Sequence, residues 1–156
     1  MPLARFLPRL QSSKLPRLAT IVMLHKEFDA SLESTAIQAM RHDSRVVVIA
    51  KRNADSLAWH RISEPFFRAT GYRQFRLRDK HTLPSDCATV AAFADSETQF
   101  DSTIREAVVT AAFCFGHVEA GGKRDILLRE EAMRNGRFGV VSVLSLLNEA
   151  TTKPFR

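Results

Sequence analysis

Residues 45–50 read RVVVIA: an arginine, four β-branched residues and an alanine. β-branched side chains suit a pleated strand, and an unbroken apolar run of this length predicts a buried one. Upstream, Ile21, Leu24, Phe28, Leu32, Ala36, Ala39 and Met40 recur at spacings of three and four, which predicts a helix over Ala19 to Met40. Asp43-Ser44 punctuates the passage from helix to strand. Downstream, Asp55 or Ser56 is placed to cap a helix to about Thr70, with Ala58, Ile62, Phe66 and Ala69 as its stripe. Pro65 should kink that helix and Gly71 suits its end.

The segment Tyr72 to Arg78, YRQFRLR, alternates: Arg73, Phe75 and Leu77 on one face, Tyr72, Gln74, Arg76 and Arg78 on the other. As a strand it presents a basic and aromatic strip that Lys80 and His81 extend. Further strands are expected at Ala88 to Ala94 and at Ala112 to Val118. A helix between them carries Phe100, Ile104, Ala107, Val108 and Ala111 in register. Gly121-Gly122 marks a turn and Asp125 to Leu128 a short apolar run. Arg129 to Asn135 reads as a helical turn or two, and Gly139 to Ala150 as a last helix with Val140, Val143, Leu144 and Leu147 on one stripe. Helices alternating with strands point to an α/β fold: a single-domain sandwich of a central mixed sheet with flanking helices. The chain divides into a basic arm or targeting segment at 1–18, an α/β domain at 19–138, and a short C-terminal helix and tail at 139–156.

The composition is that of an ordinary globular chain: 156 residues, 45% hydrophobic and 26% charged. Two cysteines, Cys87 and Cys114, cannot form a disulfide framework, and a buried apolar role suits both. No apolar run is long enough for a membrane span. The net charge of +6 is uneven: residues 1–80 carry 15 Lys+Arg against 7 Asp+Glu, residues 81–156 carry 8 against 10. Such asymmetry suggests a polyanionic partner for the first half. The first acid is Glu27, and Arg5, Arg9, Lys14 and Arg17 lie among Leu3, Phe6, Leu7 and Leu10, the composition of a mitochondrial targeting segment. Pro8 and Pro16 would interrupt a long helix there.

Catalytic signatures are missing. Gly121-Gly122-Lys123 lacks the spacing of a phosphate loop, and neither GxSxG nor HExxH occurs. Cys114 and His117 offer two metal ligands, with Cys87 or His81 as others, yet residues three apart on a strand point to opposite faces and structural zinc wants four ligands. A cysteine–histidine nucleophile pair or a His117–Glu119 acid–base pair stands against plainer readings as packing and surface charge. Trp59 suits a packing anchor, with stacking on a base as the alternative. No catalytic residue, metal or cofactor is expected.

From about Ser34 to Leu83 the chain resembles the stalk-base protein of the large ribosomal subunit (family ten), in a mitochondrial version. The resemblance rests on Ser44-Arg45-Val46-Val47-Val48-Ile49, on Arg68-Ala69-Thr70-Gly71, and on Lys80-His81-Thr82-Leu83, where His81 stands for the family's usual Asn. Thr89 to Ala94 resembles that family's third strand, Phe100 to Thr110 its next helix, Ala112 to Val118 the strand after it, and Asp125 to Ala132 a short strand and helix. The resemblance implies binding to ribosomal RNA at the stalk base, beside the large-subunit protein of family eleven, in the mitochondrial matrix. It also implies a long C-terminal helix that anchors the acidic stalk protein. Here only nine residues follow Leu147 and Pro154 lies among them, so the anchor is truncated or missing.

The expected function is therefore a structural constituent of the mitochondrial large ribosomal subunit. It would bind ribosomal RNA and support recruitment of translation GTPases, with Lys51, Arg52, Tyr72, Arg73, Arg76, Arg78, Lys80 and His81 as contacts and Arg5, Arg9, Lys14 and Arg17 as an arm. Arginine suits phosphate because its planar fork binds two oxygens at once. The alternatives are an accessory subunit of another mitochondrial complex, held by protein contacts alone, and a small enzyme using Cys87, Cys114 or His117.

Overall fold

The RVVVIA segment forms the strand β1 (Val46–Arg52), buried along Val46–Ala50. The computed structural model describes residues 2–14, 17–53, 56–70, 83–96, 103–115 and 126–147. Three helices precede β1: α1 (Leu3–Ser12), α2 (Arg17–Glu27) and α3 (Leu32–His42). After it come β2 (Leu57–Ile62), α4 (Glu64–Thr70), α5 (Ala88–Phe93), β3 (Ile104–Thr110), α6 (Ala111–Phe115), β4 (Leu127–Arg134) and β5 (Val140–Leu146). The five strands make one sheet in the order β2-β1-β5-β4-β3. The α/β class with flanking helices holds, but every neighbouring pair is antiparallel rather than mixed.

The helix expected over Ala19 to Met40 breaks into α2 and α3. Asp29 takes a positive φ of 48°, and the Ser31 hydroxyl accepts a hydrogen bond from the Ser34 amide at 3.1 Å, capping α3. The basic segment at the N-terminus is docked. Phe6 is fully buried and Leu10 nearly so, and the Phe6 ring meets Phe28 edge-on with centroids 5.9 Å apart. Pro8 sits inside α1. Phe6, Leu10, Leu18, Ile21, Leu24 and Ala36 pack with Val46, Ile49, Val141 and Val143 on one face of the sheet. On the other face Phe66, Val109, Cys114 and Phe115 pack with Val47, Val48, Leu128 and Leu144. Trp59 packs at the margin of the first cluster, as an anchor would.

Several elements are the opposite of those expected. Residues 57–62 are strand rather than helix, and Pro65 lies in the first turn of α4, where a proline removes no helical hydrogen bond, so it kinks nothing. Residues 88–93 are helix, 104–110 strand, 111–115 helix, and 127–134 and 140–146 strand. The sequence from Gly139 onward is therefore no appended helix: β5 lies at the middle of the sheet with all seven residues buried. A strand covered on both faces shows no alternation, and its apolar residues satisfy a helical period equally well.

β4 carries Glu130 and Glu131, 4% and 0% exposed. Successive strand residues point to opposite faces, so the two carboxylates serve different helices. Glu130 accepts from the Ala88 amide at 2.8 Å, the Thr89 amide at 3.1 Å and the Thr89 hydroxyl at 2.5 Å, closing the start of α5. Glu131 accepts from the Leu18 amide at 3.3 Å, at the start of α2 on the opposite face. Helix N-termini carry unsatisfied N–H groups that favour a negative charge, so tertiary hydrogen bonds override the helical propensity of LLREEAMR. Between β4 and β5, Asn135 donates its amide to the Gly139 carbonyl at 2.7 Å, and Gly139 has a φ of 95°.

Candidate functional site

At the β2 edge of the sheet lies a cleft of about 530 Å³, within the range of small-molecule sites. Three elements build it. The last turn of α3 supplies Ile37, Met40, Arg41 and His42; the end of β2 supplies Arg61 and Ile62; and the start of α4 supplies Glu64 and Pro65, with Ser44 and Ser63 between. α3 packs on one face of the sheet and α4, through Phe66, on the other, so the cleft opens where the two layers part. Its walls are apolar at Ile37, Met40, Ile62 and Pro65, and its polar side is basic.

The basic groups reach the cleft for different reasons. Arg41 and His42 stand in the last helical turn, where the helix dipole favours cations. Arg61 lies on a strand opposite Ile49, hence on the face that α3 covers. Its guanidinium donates to the His60 carbonyl at 3.4 Å, a neutral acceptor. Glu64 is the acid of the lining, and it is paired with Arg68 one turn along α4. Among the described residues, no carboxylate forms an ion pair with Arg41, His42 or Arg61.

The described residues among those expected to bind RNA have different surroundings. Arg9 forms a forked hydrogen bond to Glu27, with Nε 3.1 Å and Nη2 2.9 Å from the carboxylate. That hydrogen bond, with the adjacent charge, raises the Arg9 pKa above its ordinary value. Arg17 pairs with Asp43 at 2.9 Å, and Lys51 pairs with Glu33. Arg52 is buried, 3% exposed. Arg5 and Lys14 are exposed. Tyr72, Arg73, Arg76, Arg78, Lys80 and His81 lie outside the described residues, as do His117 and Glu119. Three of the six described cations thus pair with carboxylates of the same chain.

The buried acids have environments of their own. Asp43 receives Arg17 and Arg45, yet burial outweighs the Arg17 charge and lifts its pKa above the ordinary value. Burial does the same to Glu131, and Glu106, directly across the β3–β4 ladder, adds to it. Both cysteines are buried with free thiols. Burial first, and then the Glu130 charge, push the Cys87 thiol up, which disfavours a thiolate nucleophile. Cys87 instead caps α5, its Sγ accepting from the Val90 amide. Among the described residues no three histidine, cysteine, aspartate or glutamate side chains gather to hold a metal ion. Nor is any described helix long and apolar enough to cross a membrane.

No protein-family model matches the chain, and no curated protein matches it either. The helices and strands at 88–93, 104–110, 111–115 and 127–134 are also not those on which the resemblance to the stalk-base family rested. Arg41, His42 and Arg61 were not singled out from the sequence. Read as part of a helix, Arg61 has no reason to face Arg41. Read as the end of an edge strand entering Ser63-Glu64-Pro65, it does.

Proposed function

We propose that this domain is a non-catalytic ligand-binding module whose site is the cleft between α3, β2 and α4. The cleft carries the reading: a concavity of ligand size, part apolar and part polar, lined from three separate elements. The two buried thiols line neither wall. The test is a fragment screen read by ligand-observed NMR, repeated on Met40→Trp, which fills the cleft with an indole. Hits should appear with the natural chain and vanish in the variant, provided its circular dichroism is unchanged. Hits that survive the indole, or a screen without hits, would remove the cleft as the site.

The charge of residues 1–80 favours a second reading, an RNA-binding constituent of a mitochondrial large ribosomal subunit. Its support is the excess of Lys+Arg and the exposure of Arg5 and Lys14; its other free contacts would have to come from residues 72–81. Replacing Arg76 and Arg78 together by Ala should then weaken RNA binding and flatten its dependence on salt, whereas an unchanged salt slope would refute it.

A further inference from the structure

We infer that the ligand of the cleft is a soluble organic anion, with a multi-oxygen acidic head, phosphate or carboxylate, on an apolar body. The inference rests on the cleft being the binding site and adds the chemistry of what enters it. Arg41 and His42 approach from α3, and Arg61 approaches from β2. The two guanidiniums line the same cleft from different elements of the fold, and among the described residues no carboxylate pairs with any of the three basic groups. Elsewhere Arg9 pairs with Glu27, Arg17 with Asp43, Lys51 with Glu33 and Arg105 with Asp95, while Arg5 and Lys14 are exposed without an ion pair among the described residues; what distinguishes Arg41 and Arg61 is that they line one cleft. Glu64 does not serve, because Arg68 holds it. Like charges brought together without a counter-charge repel, and an anion placed between them is attracted by all. Guanidinium forks match the paired oxygens of carboxylate and phosphate.

The apolar half of the inference comes from the other lining residues. Ile37, Met40 and Ile62 are only half-buried in the free domain, and Pro65 is exposed. An inorganic anion would leave that surface wet, whereas an acyl or alkyl body covers it and gains the free energy of apolar burial. The cleft is concave and bounded by both layers, a shape that suits a single soluble molecule better than a membrane surface.

Isothermal titration calorimetry on the full chain with octyl phosphate, octanoate, octanol and inorganic phosphate separates these contributions. Octyl phosphate and octanoate should bind at least about tenfold more tightly than octanol or inorganic phosphate. Arg61→Gln should weaken octyl phosphate by roughly ten- to a hundredfold, the loss of one charged hydrogen-bonding group, and leave octanol unchanged. Arg41→Gln provides the same test if the first variant misfolds. Octanol binding as tightly as octyl phosphate, yet lost in Met40→Trp, would keep the cleft as the site and overturn the anion. Inorganic phosphate binding as tightly would overturn the apolar body. Co-sedimentation with phosphatidic-acid vesicles in preference to soluble octyl phosphate would overturn a soluble ligand. Failure of all four compounds to bind, with fragment hits still mapping to the cleft, would sink the ligand class alone; loss of the fragment hits as well would sink the site.

Discussion

Exchanging Glu130 and Glu131 for glutamine, one at a time, should change stability by clearly different amounts although the two are adjacent and both buried. The Glu130 carboxylate receives three hydrogen bonds over its two oxygens. In Glu130→Gln one oxygen becomes an amino group that faces an N–H. One backbone donor and the new amino group lose acceptors at a buried site, each costing about 1–3 kcal/mol. The loss of negative charge at a helix start adds about 0.5 kcal/mol. The expected total is about 2.5–6.5 kcal/mol of destabilisation. Glu131 differs: its Oε2 takes the Leu18 amide while Oε1 has no hydrogen-bonding partner among the described residues. Glutamine keeps the one acceptor and removes a desolvated charge, which offsets the unpaired amino group it leaves at the Oε1 position, so Glu131→Gln should cost clearly less than Glu130→Gln at pH 7. Urea unfolding followed by the fluorescence of Trp59, the single tryptophan, reads both. With an unchanged denaturant slope, Glu130→Gln should lower the midpoint by at least about 1 M urea. A Glu131→Gln loss as large as that of Glu130→Gln would refute the reasoning.

Other outcomes follow from the same structure. Because burial raises the Glu131 pKa in the folded state, the unfolded chain ionises first as pH rises, so stability falls above the ordinary carboxylate range; this decline should be smaller in Glu131→Gln, by urea midpoints between pH 4 and 8. Asp95 behaves oppositely: its hydrogen bond from Arg105 lowers its pKa, so its contribution is lost as pH falls, and NMR titration should show the Asp95 pKa rising in Arg105→Met. Gly139→Ala should cost at least about 3 kcal/mol, since a Cβ there would lie 2.0 Å from the Arg52 carbonyl oxygen at a φ of 95°; a thermal melt within a degree or two of the natural chain would contradict this. Ser31→Ala should cost about 1 kcal/mol by removing the α3 cap, with Ser31→Asp restoring most of it.

What the sequence conveys depends on how each element is buried. β1 is legible because four β-branched residues in a row leave little alternative, and α3 because its apolar residues keep a helical spacing. The role of Trp59 as an anchor and the burial of both cysteines were also readable. β5 was not: with both faces covered, Val140, Val143, Leu144 and Leu147 fit a helix as well as a strand. β4 was hidden by its two glutamates, which look like a solvated helix until their partners at the starts of α2 and α5 are known. Those partners are 113 and 42 residues away, beyond any local pattern. α5, with its ATVAAF run, passes for a strand for the complementary reason, since part of its cap comes from β4. The cleft inherits the error: its three basic residues converge only once residues 57–62 form a strand.

An amide chemical-shift titration of the full chain with octyl phosphate decides whether α3, β2 and α4 form one binding site. Saturable shifts should concentrate at residues 37–44 and 61–65, the two stretches that line the cleft, and the β3 and α5 amides should stay still. Shifts centred on β3 or on α1, or none at a concentration where calorimetry reports binding, would contradict it.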